Sequence, residues 1–178
     1  IRQRRLLVLT LGTGLGIGFV ANGMFETKLP YYHMGGHLSI KRSGSRCYCG
    51  KQGCLESLVS ATGIINSAIA LGWKIKYPNL SLTPQNIFMA EQKRDVEASI
   101  IVKRFLLDLK TGIDNYTNLF ALDIIIIGGG VSEGIKPYLK KFNKNEFLKT
   151  IRNYKVEIAL SEINENSGIL GSASLFNT

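Results

Sequence analysis

The stretch that decides the fold of this 178-residue chain runs His37-Leu-Ser-Ile-Lys-Arg-Ser-Gly-Ser-Arg-Cys47-Tyr-Cys49-Gly-Lys-Gln-Gly-Cys54-Leu-Glu56 and holds all three of its cysteines. An odd number of thiols so close together does not predict a disulfide framework. Three thiolates and one imidazole form the closed tetrahedral set typical of a structural zinc site, and sulfur ligands favour Zn²⁺ over Mg²⁺ or Mn²⁺. The sequence therefore predicts a structural Zn²⁺ ion bound by His37, Cys47, Cys49 and Cys54.

Two alternatives to this zinc site are left open by the sequence. His33 lies close enough along the chain to replace His37 as the fourth ligand, although His37 is the better candidate. The other alternative is a loop with three incidental thiols and a surface histidine. The crowding of the cysteines, with Gly50 and Gly53 suited to a tight turn around a metal, disfavours it.

The composition is that of an ordinary domain with a positive charge. Lys and Arg number 22 against 13 Asp and Glu, a net charge of +9. These residues are scattered without a helix-turn-helix or RNA-binding aromatic pattern, so a solvated surface, or an acidic partner surface, is favoured over nucleic acid. The apolar runs are too short to span a membrane and no signal peptide stands out, which predicts a cytoplasmic protein. The start at Ile1, without Met, predicts a piece of something longer.

A glycine-rich turn follows the first predicted strand, Leu6 to Leu11. It reads Gly12-Thr13-Gly14, but the spacing of a Rossmann dinucleotide site fails at Ile17, and the next segment is a strand that ends in an Asn-Gly hairpin turn. Backbone N–H groups and the Thr13 hydroxyl could bind phosphate oxygens there. Taken alone, the pattern favours an ordinary turn.

Helical patterns occupy the middle of the chain. Leu55 to about Leu71 is predicted as a helix interrupted near Thr62-Gly63, and Thr83-Pro84 as an N-cap followed by proline at the first helical position. Asp95 is predicted to cap a long amphipathic helix, whose apolar stripe is Ile101, Phe105, Leu109, Ile113, Tyr116 and Phe120. Steps of three and four residues are typical of a helix that packs on a sheet.

A second glycine turn follows the β-branched run Ile124 to Ile127, which predicts a strand buried on both faces of a sheet. Glycines at 128–130 allow a nucleotide base or ribose to approach the backbone, and ligands in open α/β sheets bind at such strand ends. Ser132 is predicted to cap a helix that runs through Tyr138 and beyond. A strand over 156–160 and a closing helix that begins at 168–173 complete an α/β layered domain.

Taken together, the two glycine turns and the Cys-x-Cys-Gly-x-x-Gly-Cys-Leu-Glu motif resemble the ROK family of bacterial repressors and sugar kinases, and the segment at 60–64 resembles its glucokinase branch. The resemblance implies the C-terminal domain of the actin/hexokinase-like (ribonuclease H-like) ATPase fold, with an inserted zinc loop, over the whole chain 1–178. The family's N-terminal lobe is absent from this sequence.

The resemblance also implies roles for single residues. It assigns substrate binding to His37 and Glu56, which would contact sugar hydroxyls, and nucleotide binding to the turn Gly12, Thr13 and Gly14 and to the turn Gly129 and Gly130. ATP with Mg²⁺ is the implied cofactor of the complete protein. An alternative for Glu56 is a favourable interaction with a helix dipole.

Two departures from the family pattern affect function. Met34 stands where a sugar-binding carboxylate is expected, and a thioether accepts hydrogen bonds only weakly. The catalytic aspartate and the first phosphate loop belong to the family's N-terminal half, so no catalytic residue is assigned here. We therefore expect no sugar phosphorylation by this chain alone, because the reaction needs a base near the attacking hydroxyl.

The sequence thus predicts the sugar- and nucleotide-contacting half of an ATP-dependent kinase of a glucose-like hexose. The alternatives are the sugar-sensing domain of a ROK-type transcriptional repressor and a degenerate, non-catalytic family member. The predicted partners are a small sugar, a nucleotide, and either a second copy of the chain or the missing N-terminal lobe. A membrane partner is not expected.

Overall fold

The computed structural model describes residues 5–26, 32–142 and 154–163, whose core is a mixed five-stranded sheet. The strands are β1 (Leu6–Leu11), β2 (Leu15–Ala21), β3 (Met24–Phe25), β4 (Ile124–Gly128) and β5 (Glu157–Leu160). Their order across the sheet is β3-β2-β1-β4-β5. The β1–β2 and β2–β3 pairs are antiparallel, whereas β1, β4 and β5 run parallel.

The register of the sheet brings the two glycine turns together. Thr10 in β1 lies opposite Gly128 in β4, so the turns that follow these parallel strands leave the same edge of the sheet. The predicted hairpin turn is confirmed, because Asn22 and Gly23 connect β2 to β3 with positive φ angles of 56° and 75°.

Six α-helices and two 3₁₀ helices surround the sheet in the described part of the chain. The α-helices are α1 (Leu55–Val59), α2 (Ala61–Ala70), α3 (Trp73–Lys76), α4 (Pro84–Gln92), α5 (Val96–Phe120) and α6 (Leu139–Phe142). The 3₁₀ helices are Tyr32–His37 and Ser132–Tyr138.

Both predicted N-caps in the middle of the chain are confirmed. The Thr83 hydroxyl accepts a hydrogen bond from the Asn86 N–H at 3.2 Å, with Pro84 as the first residue of α4. The Asp95 carboxylate accepts one from the Ala98 N–H at 2.8 Å and starts α5. Such caps satisfy N–H groups that have no partner within the helix.

The predicted stripe of α5 is the centre of the core. Five of its six residues are at most 3% exposed, and Phe120 at the helix end is partly buried. The same cluster includes the inward-facing leucines of β1, namely Leu7, Leu9 and Leu11, each 0% exposed. The long helix therefore gives the elements around the sheet edge a rigid support.

Three local predictions are wrong in detail. The helix that begins at Leu55 breaks at Ser60 instead of near Thr62-Gly63, because the extended backbone of Ser60 ends α1 and its hydroxyl accepts the Gly63 N–H at the start of α2. Ser132 caps no α-helix: it is the first residue of a 3₁₀ helix, and its hydroxyl donates to the Gly129 carbonyl at 2.7 Å.

The third wrong detail concerns β4, which is not buried on both faces among the described residues. Ile125 and Ile127 are 0% exposed and belong to the core, whereas Ile124 and Ile126 on the opposite face are only half-buried. The predicted strand at 156–160 is confirmed as β5 over Glu157–Leu160. The predicted helix at 168–173 lies outside the described residues, and no helix within them is long and apolar enough to cross a membrane.

Candidate functional site

The structure brings the four predicted metal ligands together. The nitrogen or sulfur ligand atoms of His37, Cys47, Cys49 and Cys54 all lie within 4.8 Å of one another. The Sγ atoms of Cys49 and Cys54 are 3.5 Å apart, and Cys47 Sγ is 3.5 Å from His37 Nδ1. A tetrahedral ion with Zn–S bonds of about 2.3 Å separates its sulfur ligands by about 3.8 Å, a spacing close to that of the Cys49 and Cys54 sulfurs.

Backbone hydrogen bonds shape the cysteine loop, residues 41–54. The Cys47 N–H donates to the Lys51 carbonyl at 2.8 Å, and the Gly50 N–H donates back to Cys47 at 3.0 Å. Gly53 has φ +67°, and a Cβ atom there would overlap the Lys41 carbonyl, so only glycine allows the chain to return at Cys54. Cys47 and Cys54 are buried by this turn, while Cys49 is exposed.

The thiols of the loop differ in acidity. Burial, together with hydrogen bonds and charge from its neighbours Cys49 and Cys47, raises the pKa of Cys54 to about 12. A hydrogen bond from the Lys51 backbone lowers the pKa of Cys49. In the metal-free chain Cys49 therefore takes up negative charge more readily than Cys54.

His37 is placed by the first 3₁₀ helix, Tyr32–His37. This helix packs closely on β2, and the Tyr116 hydroxyl donates to the Gly35 carbonyl at 2.9 Å. The His37 side chain is 11% exposed. Its Nδ1 faces the cysteines, while the Tyr48 hydroxyl lies 3.1 Å from its Nε2. The side chain of His33, the alternative ligand, lies outside the described part of the structure.

Glu56 lies between the cysteine loop and the first glycine turn. Its Oε2 accepts the Leu15 N–H at 2.9 Å, and Oε1 is 3.8 Å from His37 Nδ1. The side chain is 12% exposed and lies against Gly14, where a Cβ would be 2.8 Å from Oε2. The carboxylate thus bonds to the start of β2, in contrast to the alternative in which it serves only the dipole of its own helix.

The turn Gly12–Thr13–Gly14 is fixed by the N-terminus of α2. The Ala61 N–H donates to the Gly12 carbonyl at 2.8 Å, and the Thr62 hydroxyl donates to the Thr13 carbonyl at 2.9 Å. The carbonyl groups of the turn are therefore occupied within the protein. Thr13 is exposed, and its hydroxyl has no hydrogen-bond partner among the described residues.

The second turn, at Gly129 and Gly130, joins the first through the end of β1. The Val131 N–H donates to the Leu11 carbonyl at 3.1 Å. Gly129 has φ +86°, and a Cβ there would overlap the same Leu11 carbonyl, so the contact between the turns requires glycine. A Cβ at Gly130 or at Gly12 would meet nothing within 4 Å.

Sequence reasoning did not foresee Tyr48, whose hydroxyl reaches His37 although the ring is 83% exposed. Its only sequence signal is an aromatic residue between two metal-ligand candidates. The backbone N–H of Leu15 was also missed as the partner of Glu56, because a main-chain donor leaves no mark in the sequence. Met34 lies on the first 3₁₀ helix and is 46% exposed.

The mixed sheet, its two adjoining glycine turns and the helices around them define an α/β protein of the actin/hexokinase-like fold. The profile of the ROK family matches residues 2–178. The chain belongs to the ROK family, which confirms the resemblance predicted from its motifs.

Its relatives include sugar kinases. The chain is 31% identical to the glucokinase of Halalkalibacterium halodurans over 97% of its own length and 56% of that protein. It is 29% identical to the N-acetylmannosamine kinase of Yersinia pestis over 97% of this chain and 57% of that protein. The chain thus spans little more than half the length of these relatives.

The fold resembles that of a ROK family glucokinase from Streptomyces griseus, solved in complex with glucose and AMPPNP. The TM-score is 0.79 at 22% identity, and the match covers 98% of this chain and 61% of that one. At this level of identity the likeness supports the fold, whereas the ligands described for that protein are its own.

Proposed function

We propose that this chain is the C-terminal, sugar- and nucleotide-contacting half of an ATP-dependent kinase of a glucose-like hexose. The observation that carries the proposal is the position of Glu56, whose carboxylate lies against the glycine turn on one side and 3.8 Å from the imidazole of His37 on the other. A sugar-binding group and a phosphate-binding turn in contact are what transfer of a phosphoryl group to a sugar hydroxyl requires.

The metal centre of the proposal is a structural Zn²⁺ ion held by His37, Cys47, Cys49 and Cys54. The donor set supports it, because three sulfurs and one imidazole nitrogen fill a tetrahedral ion and leave no position for substrate. When bound, the ion supplies no chemistry of its own. The residues around it hold the loop in place, and with it the His37 ring and the start of α1 that carries Glu56.

Sugar binding is assigned to Glu56 and His37. A carboxylate accepts hydrogen bonds from two neighbouring hydroxyl groups, and Glu56 has one oxygen committed to the Leu15 N–H, which orients the other. The exposed thioether of Met34 offers no strong acceptor. We therefore expect a sugar affinity that depends chiefly on Glu56 and His37.

Nucleotide binding is assigned to Gly12, Thr13 and Gly14 and to Gly129 and Gly130. At Gly12 and Gly130 the space of a side chain is empty and φ is not positive, so nothing in the described protein requires glycine there. A phosphate or an adenosine that approaches the backbone closely would explain the glycine at both positions. In the complete protein, Mg²⁺ would accompany the ATP phosphates, and dependence on ATP is our reason to assign the protein to the cytoplasm.

The chain has no aspartate available as the catalytic base. All four of its aspartates are described, and each has a partner: Asp95 caps α5, while Asp108, Asp114 and Asp123 contact Lys41, Lys110 and Arg5. We therefore propose that the base and the first phosphate loop lie in an N-terminal lobe, supplied by the same protein or by another chain.

The experiment is sugar titration by calorimetry, with glucose and N-acetylmannosamine as probes. We expect binding by the 178-residue chain, a loss of about tenfold or more in Glu56→Gln, and no change in Glu133→Gln, whose exposed carboxylate pairs with Lys136. Equal affinities of the two variants would contradict the site. In a coupled assay, sugar-dependent ADP release by the isolated chain would contradict the assignment of the base to another lobe.

A further inference from the structure

The two nitrogens of the His37 ring lie in different surroundings. Nδ1 is 3.5 Å from Cys47 Sγ and 3.8 Å from Glu56 Oε1, on the side of the metal ligands. Nε2 points away from the sulfurs and lies 3.1 Å from the hydroxyl oxygen of Tyr48.

These surroundings determine which nitrogen can bind a metal. A ligating nitrogen must present its lone pair, so the other nitrogen of a neutral imidazole carries the hydrogen and needs an acceptor. Nδ1 faces the cysteines, so the hydrogen belongs on Nε2. The Tyr48 oxygen is the acceptor at hydrogen-bond distance.

Packing does not account for the position of Tyr48. Its side chain is 83% exposed, and its ring meets the imidazole edge-on, with 5.0 Å between the ring centres and 86° between the planes. A tyrosine this exposed adds little to a hydrophobic core. Because Tyr48 lies between Cys47 and Cys49, the turn that brings the sulfurs together also places the Tyr48 hydroxyl next to His37.

We propose that Tyr48 is a positioning residue for His37: its hydroxyl oxygen accepts the Nε2–H hydrogen bond and so holds the Nδ1 lone pair towards the three sulfurs. The inference rests on the zinc centre proposed above. It also gives Nε2 a partner when no ligand is present, and a sugar hydroxyl that reaches this nitrogen takes the place of the Tyr48 oxygen.

The first test measures the zinc affinity of the full 178-residue chain by competition with a chromophoric chelator. Tyr48→Phe keeps the ring and removes the acceptor, and we expect its zinc affinity to fall about tenfold or more, as when other hydrogen-bond partners of ligating histidines are removed. Tyr77→Phe is the matched control, because its hydroxyl bonds to Asp95, away from the loop. Equal affinity of Tyr48→Phe and the wild type would overturn the proposal.

The second test observes the hydrogen directly and needs no metal. Nitrogen-15 NMR of the reduced, metal-free chain is recorded above the ordinary imidazole pKa of about 6.5. A His33→Gln background leaves one imidazole, since the chain has two histidines. We expect the hydrogen on Nε2 with Tyr48 present and a shift towards a mixture of tautomers in Tyr48→Phe.

A hydrogen on Nδ1 in the chain that retains Tyr48, or identical spectra with and without its hydroxyl, would overturn the proposal. The two tests separate this inference from the metal centre. A wild-type chain that takes up no zinc contradicts the centre, and the tautomer measurement then decides the role of Tyr48 by itself.

Discussion

The cysteine loop and the glycine edge of the sheet, meaning the ends of β1 and β4 with their two glycine turns, form neighbouring walls of the proposed site, but they are held in different ways. The edge is supported by Leu9, Leu11 and Ile127, each 0% exposed, and its two turns are joined by the hydrogen bond from the Val131 N–H to the Leu11 carbonyl. The cysteine loop buries only Cys47 and Cys54 among its apolar side chains and is tied to α5 by the ion pair of Lys41 with Asp108.

The two walls are therefore expected to be stabilised by different interactions. Apolar burial stabilises the edge without any ligand, at about 25 cal/mol per Å² removed from water. The loop has little apolar area to bury, so we expect the proposed zinc ion to be its main source of stability. When the metal is removed, the glycine edge is therefore expected to keep its structure, whereas the cysteine loop is not.

The largest effect is expected on removing a metal ligand. Cys49→Ser changes an exposed residue, so it weakens metal binding without opening the core. Hydrogen exchange at residues 41–54 should accelerate by about three orders of magnitude, because the loop loses the binding free energy of the proposed zinc ion, while β1 and β4 keep their protection. A chelator added to the wild type should reproduce the pattern, and equal loss of protection in both regions would contradict it.

The next effect is expected at the glycine edge. Gly129→Ala places a Cβ against the Leu11 carbonyl at φ +86°, and should lower the free energy of unfolding by about 3 kcal/mol. Gly130→Ala is the matched control, since a Cβ there meets nothing within 4 Å. Denaturant unfolding measures both, and similar losses for the two alanine variants would show that the contact with Leu11 is not the cause.

A smaller effect is expected where the two walls meet, at Glu56. Glu56→Gln keeps the shape of the side chain but turns its bond with the Leu15 N–H into a neutral one, which should cost about 1 kcal/mol. The change in unfolding free energy should be independent of zinc if the edge alone depends on this bond. A loss that appears only with zinc bound would mean that Glu56 serves the loop.

A pH-dependent effect is expected far from both walls, at Asp95. Burial alone would raise its pKa, but hydrogen bonds from Lys76, Tyr77 and the Ala98 N–H outweigh burial and hold the pKa at about 2. This lies below the ordinary value of about 3.9, so the stabilisation is present above pH 4 and is lost as the pH falls towards 2. Asp95→Asn keeps a capping side chain.

Urea unfolding between about pH 5 and pH 2 tests this expectation. The wild type should lose stability with acid more steeply than Asp95→Asn, whose residue 95 carries no charge to lose. Parallel curves for the two proteins would show that this carboxylate does not contribute to acid sensitivity.

The sequence was most informative where one physical signal dominates. The spacing of the apolar residues along α5 predicted its buried face, and the caps at Thr83 and Asp95 predicted two helix starts, because periodicity and capping are local properties. The cysteines were likewise gathered as predicted. Three cysteines this close together in a sequence have few explanations other than a metal site.

The sequence was least informative where tertiary contacts determine the local structure. The helix breaks at Ser60 instead of Thr62-Gly63 because the first residues of α2 donate hydrogen bonds to the carbonyls of Gly12 and Thr13. This contact is long-range and leaves no local pattern in the sequence. How far the second face of β4 is buried depends on which elements pack on the sheet. The bond between Glu56 and Leu15, and that between His37 and Tyr48, join segments whose approach only the fold determines.

Helix α1 packs on α5 at Gly112. Its missing side chain leaves room for Leu55, since a Cβ at 112 would lie 2.9 Å from one methyl group of that leucine and nearer still to the other. Leu55 stands between Cys54 and Glu56 in the chain, so the width of this gap influences the position of both neighbours. A single methyl group added at Gly112 would therefore displace Leu55 and, with it, the Glu56 carboxylate that we propose as a sugar-binding group.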